Sequence, residues 1–163
     1  MKYVVDTNVP IVANGRSEQA SSECVIACAE MIQKITNSGM IVIDNQWLII
    51  NEYSNKLNQK GQPGVGDAFL KWILTNNRNP CLCEQVKITP TNSHKNNFKE
   101  FPNDQRLKKF DPSDRKFVAV ARAHNEHPPI LQAVDAKWRN YRKILSEHDV
   151  TVQFLCPQDN KKN

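Results

Sequence analysis

The sequence predicts an α/β fold, a central parallel sheet with helices on both faces in three layers. Two observations carry that expectation. Short runs rich in β-branched residues recur along the chain, and longer stretches with helical periodicity alternate with them. "NSG" at 37–39 then supplies a stop, with Gly39 as the expected helix cap directly before the next strand.

Taken in order, the strands are expected at 3–5 ("YVV"), 40–43 ("MIVI"), 84–89 ("EQVKIT"), 130–134 ("ILQAV") and 150–155 ("VTVQFL"). Helices are expected near 20–37, 45–59, 67–76, 113–125 and 136–147. The segment 90–110, "PTNSHKNNFKEFPNDQRLKKF", is polar and aperiodic, and a stretch of that length in a compact domain is functional or disordered. Residues 1–157 are therefore read as one domain, with 158–163 as a frayed tail.

Apolar residues make up 39% of the 163-residue chain and charged residues 24%, both ordinary for a soluble globular protein. No apolar run reaches the ~18 residues that span a bilayer. Only "YVV" separates Lys2 from Asp6, too little for a signal peptide, so the expected location is cytoplasmic, away from membranes. Five cysteines, an odd count, argue against a disulfide framework. Cys24 and Cys28, at i and i+4 on an apolar stripe, read as core residues, and Cys81 and Cys83 lack zinc-site spacing.

The net charge of +5 is unevenly placed. Residues 1–94 hold eight Lys/Arg and eight Asp/Glu, whereas 95–163 hold fourteen and nine. The excess lies wholly in the second half, which points to a polyanionic partner, nucleic acid first.

In a parallel sheet every strand ends on one edge, where ligand sites gather. "KYVVD" delivers Asp6 to that edge and "ILQAVD" delivers Asp135. Asp114 heads a stripe with Phe117, Val118 and Ala121, so it faces the sheet, and Glu52 shares a stripe with Leu48, Ile49 and Tyr53. Asp44 and Asp111 read instead as helix caps, Asp111 with Pro112 at the first helical position. Crowded carboxylates repel unless a cation neutralises them, and no His or Cys cluster competes in the sequence. A hard divalent ion, Mg²⁺ or Mn²⁺, is the expected cofactor, suited to phosphoryl chemistry.

With these residues in place the chain resembles the PIN-domain nucleases along nearly its whole length. "VVDTNV" is similar to the family's opening strand and first acid, and "DPSDRKFVAVARAH" to its D-P-x-D-R helix start. "ILQAVDAKW" resembles the strand that brings the last metal-binding Asp, and "VTVQFLCP" the closing strand. The resemblance implies Asp6, Glu52, Asp114 and Asp135 as catalytic, metal-binding acids of a metal-dependent endoribonuclease. It departs from the family at Ala133, where Thr or Ser is usual, and at Trp138, where many members carry a further acid.

Asn8, Arg115, Lys116, Lys137 and Arg139, adjacent to the acids, are the candidate nucleic-acid contacts. Thr7 and Asn8 would bond the other acids or a phosphate, with Pro10 turning the chain away. Toxin-type members pair with an inhibitor, so the expected partners are an RNA substrate, a small antitoxin protein and a second copy in a homodimer.

Three rival readings remain. A receiver domain wants an adjacent acidic pair and a strand-end Lys, both missing. A haloacid dehalogenase-type phosphatase wants Asp at Asn8. The third is a catalytically inactive PIN-like scaffold that binds RNA or a protein.

Overall fold

The computed structural model describes residues 1–91 and 96–156. Its elements are β1 (Lys2–Val5), α1 (Asn8–Ala13), α2 (Ser22–Ser38), β2 (Met40–Asp44), α3 (Leu48–Lys56), α4 (Val65–Asn76), β3 (Cys83–Val86), α5 (Arg115–Ala123), β4 (Ile130–Gln132), α6 (Ala136–Ser146) and β5 (Val152–Phe154). All neighbouring strands pair in parallel, in the order β3-β2-β1-β4-β5. The expected α/β fold is present, with a five-stranded sheet.

Order and handedness explain the layers. The chain winds from β1 outward to β2 and β3, then jumps back to β4 and out to β5. Right-handed crossovers put the helices of the two halves on opposite faces. Accordingly α1, α2 and α4 pack together, while α5 lies across β2, β1 and β4, and α6 on β5. The strands are apolar because both faces are covered: Val4, Ile130 and Leu131 are completely buried. In α5 the run Phe117–Ala121 is buried throughout, so that helix is enclosed on more than one side.

Two local expectations change. α1 is a helix where a turn was expected, and Pro10 sits in its first turn, where a missing N–H costs nothing. α3 starts later than residue 45, because the Asp44 carboxylate accepts the amides of Gln46, Leu48 and Ile49 and holds the chain in a turn first. Gly39 ends α2 with φ −101°, so its need for glycine is steric: a Cβ there would lie 2.9 Å from the Ile35 Cα. Gly66 answers a tighter demand, since a Cβ would stand 1.9 Å from the Pro10 carbonyl oxygen where α4 meets α1.

The 90–110 segment is anchored where it is described. Phe98, Phe101, Leu107 and Phe110 are buried, and Phe110 stacks edge-on against Trp138 at 5.0 Å and Tyr141 at 5.2 Å. The Arg115 guanidinium lies 4.6 Å above the Phe101 ring. The expectation of a frayed tail at 158–163 falls outside the described residues. Among the described residues, no helix is long and apolar enough to cross a membrane.

The cysteine expectation is half corrected. Cys24 and Cys28 are core residues, but Cys24 is joined to Cys156 in a disulfide, and Cys28 lies beside the pair. Periodicity shows that Cys24 is buried and says nothing of a partner 132 residues away.

Candidate functional site

The strand order reverses between β1 and β4, and in open α/β sheets that crevice, outside the carboxyl ends, is where ligands sit. Asp6 follows β1 and Asp135 follows β4, so the two acids flank it. Asn8 closes the gap between them. Its side-chain amide donates to Gln132 Oε1 at 2.7 Å, and its Oδ1 accepts the Ala133 amide at 3.1 Å. Asn8 thus pins one strand exit to the other.

Asp6 is 5% exposed, and the Asn8 amide donates to its Oδ2 at 3.0 Å. Burial pushes its pKa well above the ordinary 3.8, and Asp114, Glu52 and Asp135 push it further. Asp114 is raised to about 7, first by burial and then by Asp111, Asp135 and Glu52. The four acids therefore share one neighbourhood, contributed by β1, α3, the turn before α5 and the turn after β4. Asp67 supplies the contrast. It is 1% exposed, yet its pKa is lowered, because the Asn58 amide, the Asn14 side chain and the Gly64 amide outweigh the burial.

The other acids are partly committed. One oxygen of Asp135 accepts the Lys137 amide at 2.9 Å and caps α6. Glu52 is held at both oxygens: Lys116 Nζ donates to Oε1 at 2.8 Å and the Thr7 hydroxyl to Oε2. Lys116 also donates to the Ser113 carbonyl, so its ammonium is a cation inside the acid cluster. Thr7 bonds an acid as the sequence suggested. Asp111 takes the Ser113 amide and hydroxyl at 3.0 and 2.8 Å, the cap expected of it.

Two of the five basic and polar candidates are spent on the fold besides Asn8. Arg115 donates to the carbonyls of Lys108 and Phe110 and to Asn97 Oδ1, strapping the 97–110 stretch to the head of α5. Arg139 donates to the Cys156 carbonyl and lies 4.2 Å above Phe154, against β5. Lys137 is exposed and lines a cleft of about 290 Å³ with Lys109, Asp111, Asp114, Asn140 and Tyr141. A second cleft, about 280 Å³, holds Glu52, Asn51, Asn55, Asn96, Ser113 and Lys116. Lys109, Asn51 and Asn55 were missed; only the Lys108–Lys109 pair beside Asp111 gave a sequence signal.

The donor set is all carboxylate oxygen, which suits a hard divalent cation such as Mg²⁺ or Mn²⁺ and no soft one. The acids share a neighbourhood without converging on a point. Among the described residues, the group of three or more metal-ligating side chains whose ligand atoms do converge is Cys24, Cys28 and Cys156.

Comparison with known proteins adds no relative: no protein-family model, no curated protein and no solved structure matches the chain.

Proposed function

We infer that the chain is a metal-dependent endoribonuclease of PIN type that hydrolyses RNA phosphodiester bonds. The observation that carries the reading is the gathering of Asp6, Glu52, Asp114 and Asp135 at the switch point, with Asp6 pushed up in pKa by burial and then by Asp114, Glu52 and Asp135, and Asp114 by burial and then by Asp111, Asp135 and Glu52. A buried acid raised by burial and by neighbouring acids is a candidate for a functional role.

Asp6, Asp114 and Asp135 would hold Mg²⁺ or Mn²⁺. When bound, such an ion supplies Lewis-acid polarisation of the phosphoryl oxygen and an acidified water. The chain's own residues do the rest. The strand end and the Asn8 amide fix Asp6, and Thr7 and Lys116 fix Glu52. Lys137 and Lys109, in the cleft beside Asp114, would hold the phosphates flanking the scissile one. The resemblance adds a toxin role and a small antitoxin partner, which the neighbouring reading frames would test.

One observation favours a second reading. The Lys116–Glu52 ion pair already neutralises part of the rim, as an inactive scaffold that binds RNA or a protein would allow. Incubation with labelled RNA and DNA pools in Mg²⁺, Mn²⁺ or EDTA separates the two. Metal-dependent RNA cleavage is expected. Binding without cleavage makes the scaffold correct, and cleavage of DNA alone moves the substrate class.

A further inference from the structure

Outside the acid rim, three sulfurs meet inside the core. Cys24 and Cys28 face inward from adjacent turns of α2, and Cys156 follows β5. Their sulfurs all lie within 4.8 Å of one another, and Cys28 Sγ is 3.9 Å from Cys156 Sγ. All three side chains are buried. A disulfide alone needs two cysteines, and the packing of the third against it calls for an explanation.

We propose that Cys24, Cys28 and Cys156 form a thiolate site for a thiophilic d¹⁰ cation, Zn²⁺ or Cu⁺, in the reduced chain, and that the Cys24–Cys156 disulfide is the form the site takes when oxidised. The spacing suits it. Thiolates ~2.3 Å from a tetrahedral metal stand about 3.8 Å apart, close to the Cys28–Cys156 separation. The ligands are rigidly set, two on one helix face and one at the end of a paired strand. Cys24 lies in the first turn of α2, where the amide ends of the helix favour a thiolate, and Ser21 caps that turn by accepting the Cys24 amide. Soft sulfur donors select these cations over Mg²⁺ or Mn²⁺, so the site is chemically distinct from the carboxylate rim.

The balance is simple. A dithiol reductant gives two electrons and two protons to the disulfide and is itself oxidised to a disulfide, leaving three thiols. Metal binding then releases three protons to solvent as three sulfur–metal bonds form. A small-molecule disulfide reverses the step: it takes two electrons from the Cys24 and Cys156 thiolates and two protons from solvent, leaves as two thiols, and the new sulfur–sulfur bond removes two ligands and expels the ion. The third ligand, Cys28, is the residue that the disulfide does not require.

The test uses the full chain, reduced and held without oxygen, titrated separately with Zn²⁺ and with Cu⁺ against a chromophoric competitor. Thiolate-to-metal absorption and bound metal are measured. One equivalent of one cation is expected, and the arm that saturates names it. Cys28→Ser should lose affinity by more than the roughly 10–100-fold that an outer-shell partner is worth, while mass spectrometry still finds the Cys24–Cys156 disulfide after oxidation. Cys81→Ser, at an exposed thiol, should bind as the parent does. Circular dichroism confirms that each variant is folded, and Cys28→Ala replaces Cys28→Ser if the serine variant is not. No binding by the reduced parent overturns the proposal, as does equal binding by the folded Cys28 variant.

Discussion

Acids gather at both ends of the sheet, and the fold treats them in opposite ways. At the amino end Lys2 reaches Glu84 at 2.9 Å as well as Glu126, and buried His124 meets the same Glu84. The bonds from Lys2 and His124 hold the Glu84 pKa below its ordinary value. At the carboxyl end Lys116 is the cation among the acids, and Asp6 and Asp114 are pushed upward instead. Paired charges cost the fold little. Crowded, desolvated ones oppose folding and persist where something else uses them.

The largest expected effect breaks that comparison by function. Asp6→Asn keeps the shape of a buried strand-end residue and removes its charge. Cleavage should fall by about a hundredfold or more, the several kcal/mol that a catalytic ion supplies, with melting temperature unchanged or raised. Lys2→Met at the other end should leave turnover per folded molecule intact. Full Mg²⁺-dependent activity in folded Asp6→Asn would remove Asp6 from the site.

Metal should act at one end alone. A cation bound only to the folded form adds about 2.7 kcal/mol at a hundredfold excess over Kd. For a domain of this size that raises the melting temperature by roughly 5–10 °C. Asp6→Asn and Asp135→Asn should each start from a higher baseline in EDTA and gain less from Mn²⁺. A parent melting curve unmoved by millimolar Mn²⁺ would leave the scaffold reading ahead.

The two ends should also slope oppositely with pH. Asp114 titrates near 7 in the folded protein against an ordinary 3.8. Between those values the folded state binds more protons than the unfolded chain, so this group's effect is falling stability as pH rises toward 7. Glu84 is depressed below 4.5, so its contribution is present above that value and is lost as pH falls through the folded value. Melting in EDTA between about pH 5 and pH 8 checks the Asp114 arm, and melting from about pH 5 down to pH 3 checks the Glu84 arm. Asp114→Asn should flatten the loss on the alkaline side, and an unchanged slope would mean that Asp114 is not strained.

These contrasts rest on residues of unequal legibility. Asp6 and Asp135 were readable because a parallel sheet sends every strand end to one edge, and Asp114 because it heads an apolar stripe. Asp111 was readable as a cap from its place before a helical turn, whereas Trp47 holds the cap position of α3 and Asp44 reaches the Leu48 and Ile49 amides from the turn before it. α1 was missed because six residues containing Pro10 carry too little periodicity to oppose a turn reading. The structural bonds of Asn8, Arg115 and Arg139 were not readable for another reason. A sequence shows that a donor exists, whereas its partner, such as the Phe110 carbonyl for Arg115 or Gln132 for Asn8, depends on tertiary placement. The meeting of Cys156 with Cys24 and Cys28 has the same origin.

A smaller effect sharpens the comparison within the site. Asp111 binds Ser113 as a cap, so Asp111→Ala should cost roughly 0.5–2 kcal/mol of stability and spare turnover. Asp114→Ala should do the reverse, relieving repulsion and abolishing cleavage. Loss of activity at Asp111 with activity retained at Asp114 would exchange their roles.

The smallest effect is the response to salt. The ion pairs of Lys2 are partly exposed, its side chain at 27% and that of Glu126 at 57%, and pairs in that setting are weak and readily screened. At 1 M salt the screening length is ~3 Å, which weakens attraction between the partly exposed charges at the amino end and leaves the buried Asp6 largely unscreened. The two ends should therefore respond differently. Lys2→Met should melt slightly lower than the parent in dilute buffer, and the gap should close as NaCl is added. Asp6→Asn in EDTA should melt slightly higher, and its advantage should persist over the same titration, because burial is the first cause of its raised pKa. A Lys2→Met gap that survives 1 M NaCl would mean that packing rather than charge holds the amino end, and an Asp6→Asn advantage that vanishes would mean that screened repulsion rather than burial sets the cost of Asp6.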